Sequence, residues 1–195
     1  MLISFEGIEG AGKSTQINLL QDYYLKKNKE VLMLREPGST EVGESIREIL
    51  LSTKNVISDN TELLLMFAAR AQLLDQIIKK NIDKVILIDR YFHASIAYQG
   101  YGRGLDISKI NQLIQITECI QPDYTFLLDI SPEDGFRRKS GDKMDRIESA
   151  GIEFFNKVRK GYLELAQNNN YMHVISSTQT EQNIHEEIVN IIQRS

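Results

Sequence analysis

Apolar residues along this chain fall into two patterns that alternate from one end to the other. Short runs of apolar, partly β-branched residues occur at 2–6, 30–34, 84–88, 124–129 and 171–175. Runs of this kind predict strands covered on both faces. Between them, apolar positions recur with a helical period at about 13–27, 41–51, 60–80, 106–119, 132–138, 150–167 and 181–193. Strand–helix alternation predicts an α/β fold: a five-stranded parallel sheet with helices on both faces. Ligands then belong beyond the carboxyl ends of the strands. No internal repeat, low-complexity tract or Pro/Gly/Ser-rich linker interrupts the pattern, so residues 1–195 read as one domain.

Charge narrows the classes of partner. The net charge is −4 and the pI about 5.5, which argues against a general nucleic-acid binder. An anionic ligand must instead be held by locally gathered basic groups. No apolar run has the length of a membrane span, and the first residues lack the basic and apolar regions of a signal peptide. With a single cysteine, Cys119, no internal disulfide can form. These features together predict a cytoplasmic protein. Cys119 itself reads as a small buried hydrophobe.

The most specific chemical signal is Gly7-Ile8-Glu9-Gly10-Ala11-Gly12-Lys13-Ser14, with Thr15 next in line. It matches the Gly-x-x-x-x-Gly-Lys-Ser/Thr phosphate loop, and it sits where a strand gives way to an amphipathic helix. Glycines let backbone N–H groups turn inward around a phosphate, and the helix N-terminus favours the anion. Lys13 can reach the β- and γ-phosphates of a nucleotide, and Ser14 can offer its hydroxyl to Mg²⁺. A GTPase would also carry an Asn-Lys-x-Asp guanine reader. The nearest string, Asn156-Lys157-Val158-Arg159, lacks the aspartate. A small phosphate-loop kinase fits best, within the P-loop NTPase fold.

Several arginines occupy positions that need an explanation. Arg70 falls on the apolar face formed by Leu63, Phe67, Ala71, Leu74, Ile77 and Ile78. A guanidinium there is costly unless it meets an acceptor, either a buried carboxylate or a ligand. Met66 and Phe67 flank it and supply an apolar or aromatic wall. Asp89-Arg90-Tyr91 follows strand 84–88, placing a carboxylate for Mg²⁺ and an arginine for phosphate at the crevice. Arg35-Glu36-Pro37-Gly38 follows strand 30–34 in the same way. Residues 98–104, rich in glycine and tyrosine, read as a loop that brings Gln99 to a base edge. The basic stretch at about 137–147 reads as a short lid that places positive charge over a transferred phosphoryl group. His93, His173 and His185 show no metal-ligand spacing and read as structural or surface residues.

In this order and spacing, the pieces resemble thymidylate kinase of the bacterial type. Matching strings are the phosphate loop with Glu9, Arg35-Glu36-Pro37-Gly38, Ala68-Ala69-Arg70, Asp89-Arg90-Tyr91, Ala97-Tyr98-Gln99-Gly100, Asp145-Arg146-Ile147-Glu148 and Phe154-Phe155. The resemblance implies transfer of the γ-phosphoryl of ATP to dTMP, giving dTDP for dTTP synthesis, with Mg²⁺. Residues 7–15 would hold ATP, and Ser14 and Asp89 the metal. Glu9 would lie near the dTMP sugar and phosphate, Arg90 would grip that phosphate, and Arg35 would lie nearby. Arg70 and Gln99 would read the thymine edge beside Ser95, with Met66 or Phe67 covering the base. Tyr98 would pack near the deoxyribose. The catalytic lid residue would be Arg138, with Arg137, Lys139 and Lys143 as alternatives. A homodimer is implied by the same resemblance. The competing expectations are another nucleoside monophosphate kinase and a non-catalytic nucleotide-binding switch.

Overall fold

The computed structural model describes residues 1–139 and 144–194. Five parallel strands form one sheet: β1 (Leu2–Glu6), β2 (Val31–Arg35), β3 (Val85–Asp89), β4 (Tyr124–Asp129) and β5 (Met172–Ser176). Their order is β2-β3-β1-β4-β5. Register pairs Phe5 with Asp89 across β1 and β3, so the residues that follow these two strands emerge side by side.

Along β1 and β3, successive side chains point to opposite faces of the sheet. Ile3, Phe5, Val85 and Leu87 join one core cluster, and Leu2, Ile86 and Ile88 join another. Both faces therefore need helical cover, which explains why these strands read as mostly apolar runs, with Ser4 buried against Thr125. The longer helices are α1 (Lys13–Leu25), α2 (Glu41–Leu51), α3 (Asp59–Gln76), and, after the short α4 (Phe92–Ser95), α5 (Ile107–Ile116). They continue with α6 (Pro132–Arg138), α7 (Ile152–Asn168) and α8 (Glu181–Arg194). Local sequence sets several of their starts. Thr40, Ser58, Asp106 and Ser131 cap α2, α3, α5 and α6 by accepting backbone N–H bonds. No helix among the described residues is long and apolar enough to cross a membrane.

Some boundaries differ from the sequence reading. The expected helix 60–80 ends at Gln76, and a 3₁₀ turn follows at Ile78–Lys80. Ile77 leaves the helical region at φ −124°, and Asn81 Nδ2 donates to its carbonyl. The expected helix 106–119 stops at Ile116, where Thr117 turns its hydroxyl back to Leu113 O and Glu118 adopts φ +52°. Cys119 thus lies past the helix, half-buried against the second core cluster.

The largest correction concerns 98–104. The glycine-rich loop expected there is a π-helical segment, Ile96–Gly102, that continues directly from α4. Arg103 N donates to Tyr98 O at 2.9 Å, the wide spacing of a π turn. Its glycines serve packing. A Cβ on Gly102 would lie 2.5 Å from the Phe154 ring, and one on Gly161 of α7 would lie 2.6 Å from Tyr101 Cγ. The backbone of each element is thus packed directly against a side chain of the other. Turning this stretch into helix buries Tyr98 and Gln99 and aims them from a rigid element.

Gly161→Ala should therefore destabilise the fold. The gain in helix propensity, about 1 kcal/mol, is outweighed by overpacking against Tyr101 of roughly 1–3 kcal/mol. Thermal unfolding should show a lower midpoint, by roughly 2–6 °C; a raised midpoint would mean that the two elements are not in tight contact.

Candidate active site

The phosphate loop is built by two constraints. Gly10 and Gly12 take left-handed conformations, φ +76° and +87°, which free the turn into α1. Gly10 also touches another backbone: a Cβ there would lie 2.2 Å from Gly135 O, and one on Gly135 would meet Glu9 O at 2.4 Å. Helix α6 is thus seated on the loop through a pair of glycines, and one turn later it delivers Arg138. Arg138 Nη2 donates to Ser177 O at 2.6 Å and Nη1 to Gly10 O at 3.4 Å. The neighbouring Arg137 is exposed and pairs with Asp134, and Lys139 pairs with Glu148. Lys143 lies outside the described residues.

Lys13 folds back onto the loop and donates to Gly7 O and Ile8 O, each at 3.1 Å. Burial lowers its pKa, and the charge of Arg90 adds to that effect. The loop, Arg138, Lys139, Ser177 and Gln179–Glu181 line a cavity of about 610 Å³. A second cavity, of about 240 Å³, opens beyond the ends of β1, β2 and β3. Glu9, Arg35, Met66, Arg70, Asp89, Arg90, Ser95, Tyr98 and Gln99 all line it. The sequence reading is thus gathered into one place, apart from Phe67. That ring is buried and lies under the Arg70 guanidinium at 4.5 Å, so Met66, and not Phe67, lines the cavity. Lys13 and Lys139 line both cavities.

Each buried guanidinium is held by a carboxylate. Arg70 Nε and Nη2 both reach Glu36 Oε2 at 2.7 Å, Nη1 donates to Ser95 Oγ, and Nη2 donates to Tyr91 O. Arg70 thus pairs with a buried acid and also lines the cavity. Burial alone would lower its pKa, but the Glu36 charge outweighs this and holds the group protonated. Arg90 sits at φ +67°, a strained conformation for a residue with a side chain. Its Nη2 donates to Glu9 Oε1 at 2.6 Å and its Nη1 to Gly7 O at 2.9 Å. Tyr98 Oη donates to the same Glu9 carboxylate, and the Arg90 guanidinium stacks over the Tyr98 ring. Arg35 is more exposed and pairs with Glu44. Ser14 Oγ lies 3.4 Å from Asp89 Oδ2, at the mouth of the phosphate loop.

Behind this wall lie residues that the sequence reading missed. Glu6 is fully buried, accepts Tyr91 N–H at 2.8 Å, and accepts Tyr162 O–H at 2.7 Å. Arg90 Nη1 reaches the Tyr162 oxygen in turn, at 3.4 Å. Glu62, also fully buried, accepts from Gln99, Arg103 and Arg146. An acid at the end of a mostly apolar strand could have marked Glu6. Glu62 gives no comparable signal, because an acid in the first turn of a helix is expected for the helix dipole alone. Tyr162 shares the apolar face of α7 and reads as an ordinary core tyrosine.

Comparison with known proteins places this geometry. The family model for thymidylate kinase matches residues 5–188. The thymidylate kinase of Chlorobaculum tepidum is 43% identical, over 98% of this chain and 96% of its own length. That of Thermoanaerobacter pseudethanolicus is 42% identical, over 98% and 97%. The crystal structure of thymidylate kinase from Ehrlichia chaffeensis superposes with a TM-score of 0.82 at 33% identity, covering 99% of this chain and 98% of that one.

Burial raises the Glu6 carboxyl to about 7, despite the Tyr162 bond and the Arg90 charge that oppose it. Between pH 4.5 and 7 the native state thus binds a proton that the unfolded chain has released, so this group's contribution to stability falls as pH rises. Glu6→Gln should remove that penalty. In urea unfolding, the stability of the variant relative to wild type should rise by roughly 2–3 kcal/mol from pH 5 to pH 7.5. A difference that is flat with pH would mean that Glu6 is charged throughout.

Proposed function

Because the chain belongs to the thymidylate kinase family, it transfers a phosphoryl group from ATP to dTMP, and we propose that its two cavities hold one substrate each. The observation that carries this reading is their shared wall. Lys13 and Lys139 line both cavities, so a group passing from one to the other stays beside positive charge. The larger cavity takes ATP, with its phosphates on residues 7–15 and its base toward Gln179–Glu181. The smaller takes dTMP, with its phosphate on Arg90 and its base between Arg70, Gln99 and Met66. Arg35 supplies further positive charge at the rim, Tyr98 packs against the sugar, and Glu9 holds Arg90 and Tyr98 in place.

Phosphoryl transfer asks little covalent chemistry of a protein; positioning and charge neutralisation provide most of the rate. Among the described residues Arg138 stands over the loop on two carbonyls, neither of which neutralises it, and it would turn from them to the transferred group. Ser14 and Asp89 offer a hydroxyl and a carboxylate oxygen 3.4 Å apart, the donor chemistry that suits a hard cation retaining several waters. They would hold Mg²⁺. When bound, the ion draws negative charge from the β- and γ-phosphates. Val42, Ile49 and Leu64 are exposed apolar residues on α2 and α3 and offer a surface to a second copy in the proposed homodimer. A lone free cysteine agrees with a cytoplasmic setting.

Two measurements test this reading. ADP formation from ATP and Mg²⁺ should be fast with dTMP and slow with dCMP, dGMP and AMP; a different preferred acceptor would keep the kinase and overturn the base pocket. Arg138→Ala should lower kcat by roughly 10³-fold or more, with little change in the KM of either nucleotide. A normal kcat in that variant would assign the role to a neighbour.

A further inference from the structure

A primary amide has a donor end and an acceptor end, and only its surroundings decide which one faces a ligand. Gln99 lines the smaller cavity, and its Nε2 donates to Glu62 Oε1 at 2.9 Å. No hydrogen bond to Gln99 Oε1 is made among the described residues. Glu62 can only accept when ionised. Burial works against its charge, but the bonds from Gln99, Arg146 and Arg103 outweigh this and keep its pKa below the usual carboxylate value. Arg146 Nη2 lies 2.6 Å and Arg103 Nη2 3.2 Å from Glu62 Oε2, and Arg103 Nε reaches Oε1 only at 3.4 Å, so Gln99 makes the shorter bond to Oε1 and both oxygens act as acceptors. The π-helical backbone fixes where the Gln99 side chain starts. A reversed amide would set two acceptors against each other in a buried site, so Oε1 must face the cavity.

The consequence is chemical. A thymine or uracil edge presents an N3–H donor beside the O4 acceptor; a cytosine edge presents an N3 acceptor beside an amino donor. Arg70, fixed by Glu36, Ser95 and Tyr91, brings only donors to the same cavity. An acceptor at Gln99 beside a donor at Arg70 matches the first edge and opposes the second at both atoms. We propose that Glu62 is a positioning residue that fixes the Gln99 amide with its oxygen toward the base, and thereby sets discrimination against cytosine-type edges. This rests on the reading that Gln99 and Arg70 face the base. It assigns the selectivity for one edge to a carboxylate that never touches substrate.

The test compares kcat/KM for dTMP, dUMP and dCMP in the full-length enzyme and in three variants. In Glu62→Gln the residue at 62 can donate as well as accept, so the Gln99 amide loses its fixed direction. The dTMP/dCMP ratio should fall about 10-fold or more. The dTMP/dUMP ratio should hold within about twofold, because both bases present the same edge. Arg103→Met loosens the same cluster but keeps the Glu62–Gln99 bond, and it should leave both ratios unchanged. If Glu62→Gln does not fold, Glu62→Gln with Arg103→Met removes one of the two cations that Glu62 neutralises and carries the same comparison. An unchanged dTMP/dCMP ratio in either Glu62 variant, a proportional loss on all three substrates, or an equal drop in Arg103→Met would overturn the proposal. Gln99→Ala separates the two levels. If it leaves dTMP/dCMP selectivity intact, the base reading itself fails. If it abolishes selectivity while Glu62→Gln does not, only the role of Glu62 fails.

Discussion

A guanidinium group taken out of water must meet acceptors, and the site depends on how this chain meets that demand. Arg70 is 2% exposed and Arg90 is largely enclosed, with 18% of its side chain exposed. In an acidic protein such groups could be wholly consumed by neighbouring carboxylates. They are not, because each meets one carboxylate only and its other partners are uncharged oxygens. Glu36 takes one edge of Arg70 through a single oxygen, and Glu9 takes one arm of Arg90. Both side chains line the cavity, and their partners hold them at fixed angles there. Such preorganisation is worth more than charge alone, since little reorganisation is left to complete when an anion or a base edge arrives.

The same logic explains why the sheet matters. Parallel pairing of β1 with β3 sets the phosphate loop beside Asp89 and Arg90. The backbone contact of Gly10 with Gly135 then ties α6, and with it Arg138, to the loop. Glu6 closes the arrangement from behind. It accepts from the backbone just past Arg90 and from the tyrosine that meets the Arg90 side chain, so a strained residue is braced at both ends. Under the proposed division of substrates, the phosphate-gripping arginine and the phosphate loop hang on neighbouring strands, and their spacing is set by the sheet.

Much of this was legible in the sequence, for identifiable reasons. The strands were visible because both faces of the sheet are covered, and the phosphate loop because its chemistry demands fixed glycines. Arg70 stood out because a cation on an apolar face is costly. The loop at 98–104 was misread because glycine ordinarily marks a turn; here Gly100 and Gly102 make room for Ile107 and Phe154 against a helical segment. Phe67 was indistinguishable from Met66 by position, since adjacent helical residues diverge only by their tilt into or away from the core. Glu62 stayed hidden behind an ordinary helix-start composition. Its partners, Arg103 and Arg146, lie 41 and 84 residues away in sequence and meet it only in the fold.

Under the proposed function, Arg90 serves the phosphate of the acceptor while the Arg70 side of the cavity serves its base. Calorimetric binding of dTMP and of thymidine, which lacks the phosphate, to Arg90→Ala tests this most directly. In that variant dTMP affinity should fall toward that of thymidine, while thymidine should bind as it does to wild type. If both ligands weaken by the same factor, Arg90 supports the pocket as a whole and the division of labour is wrong.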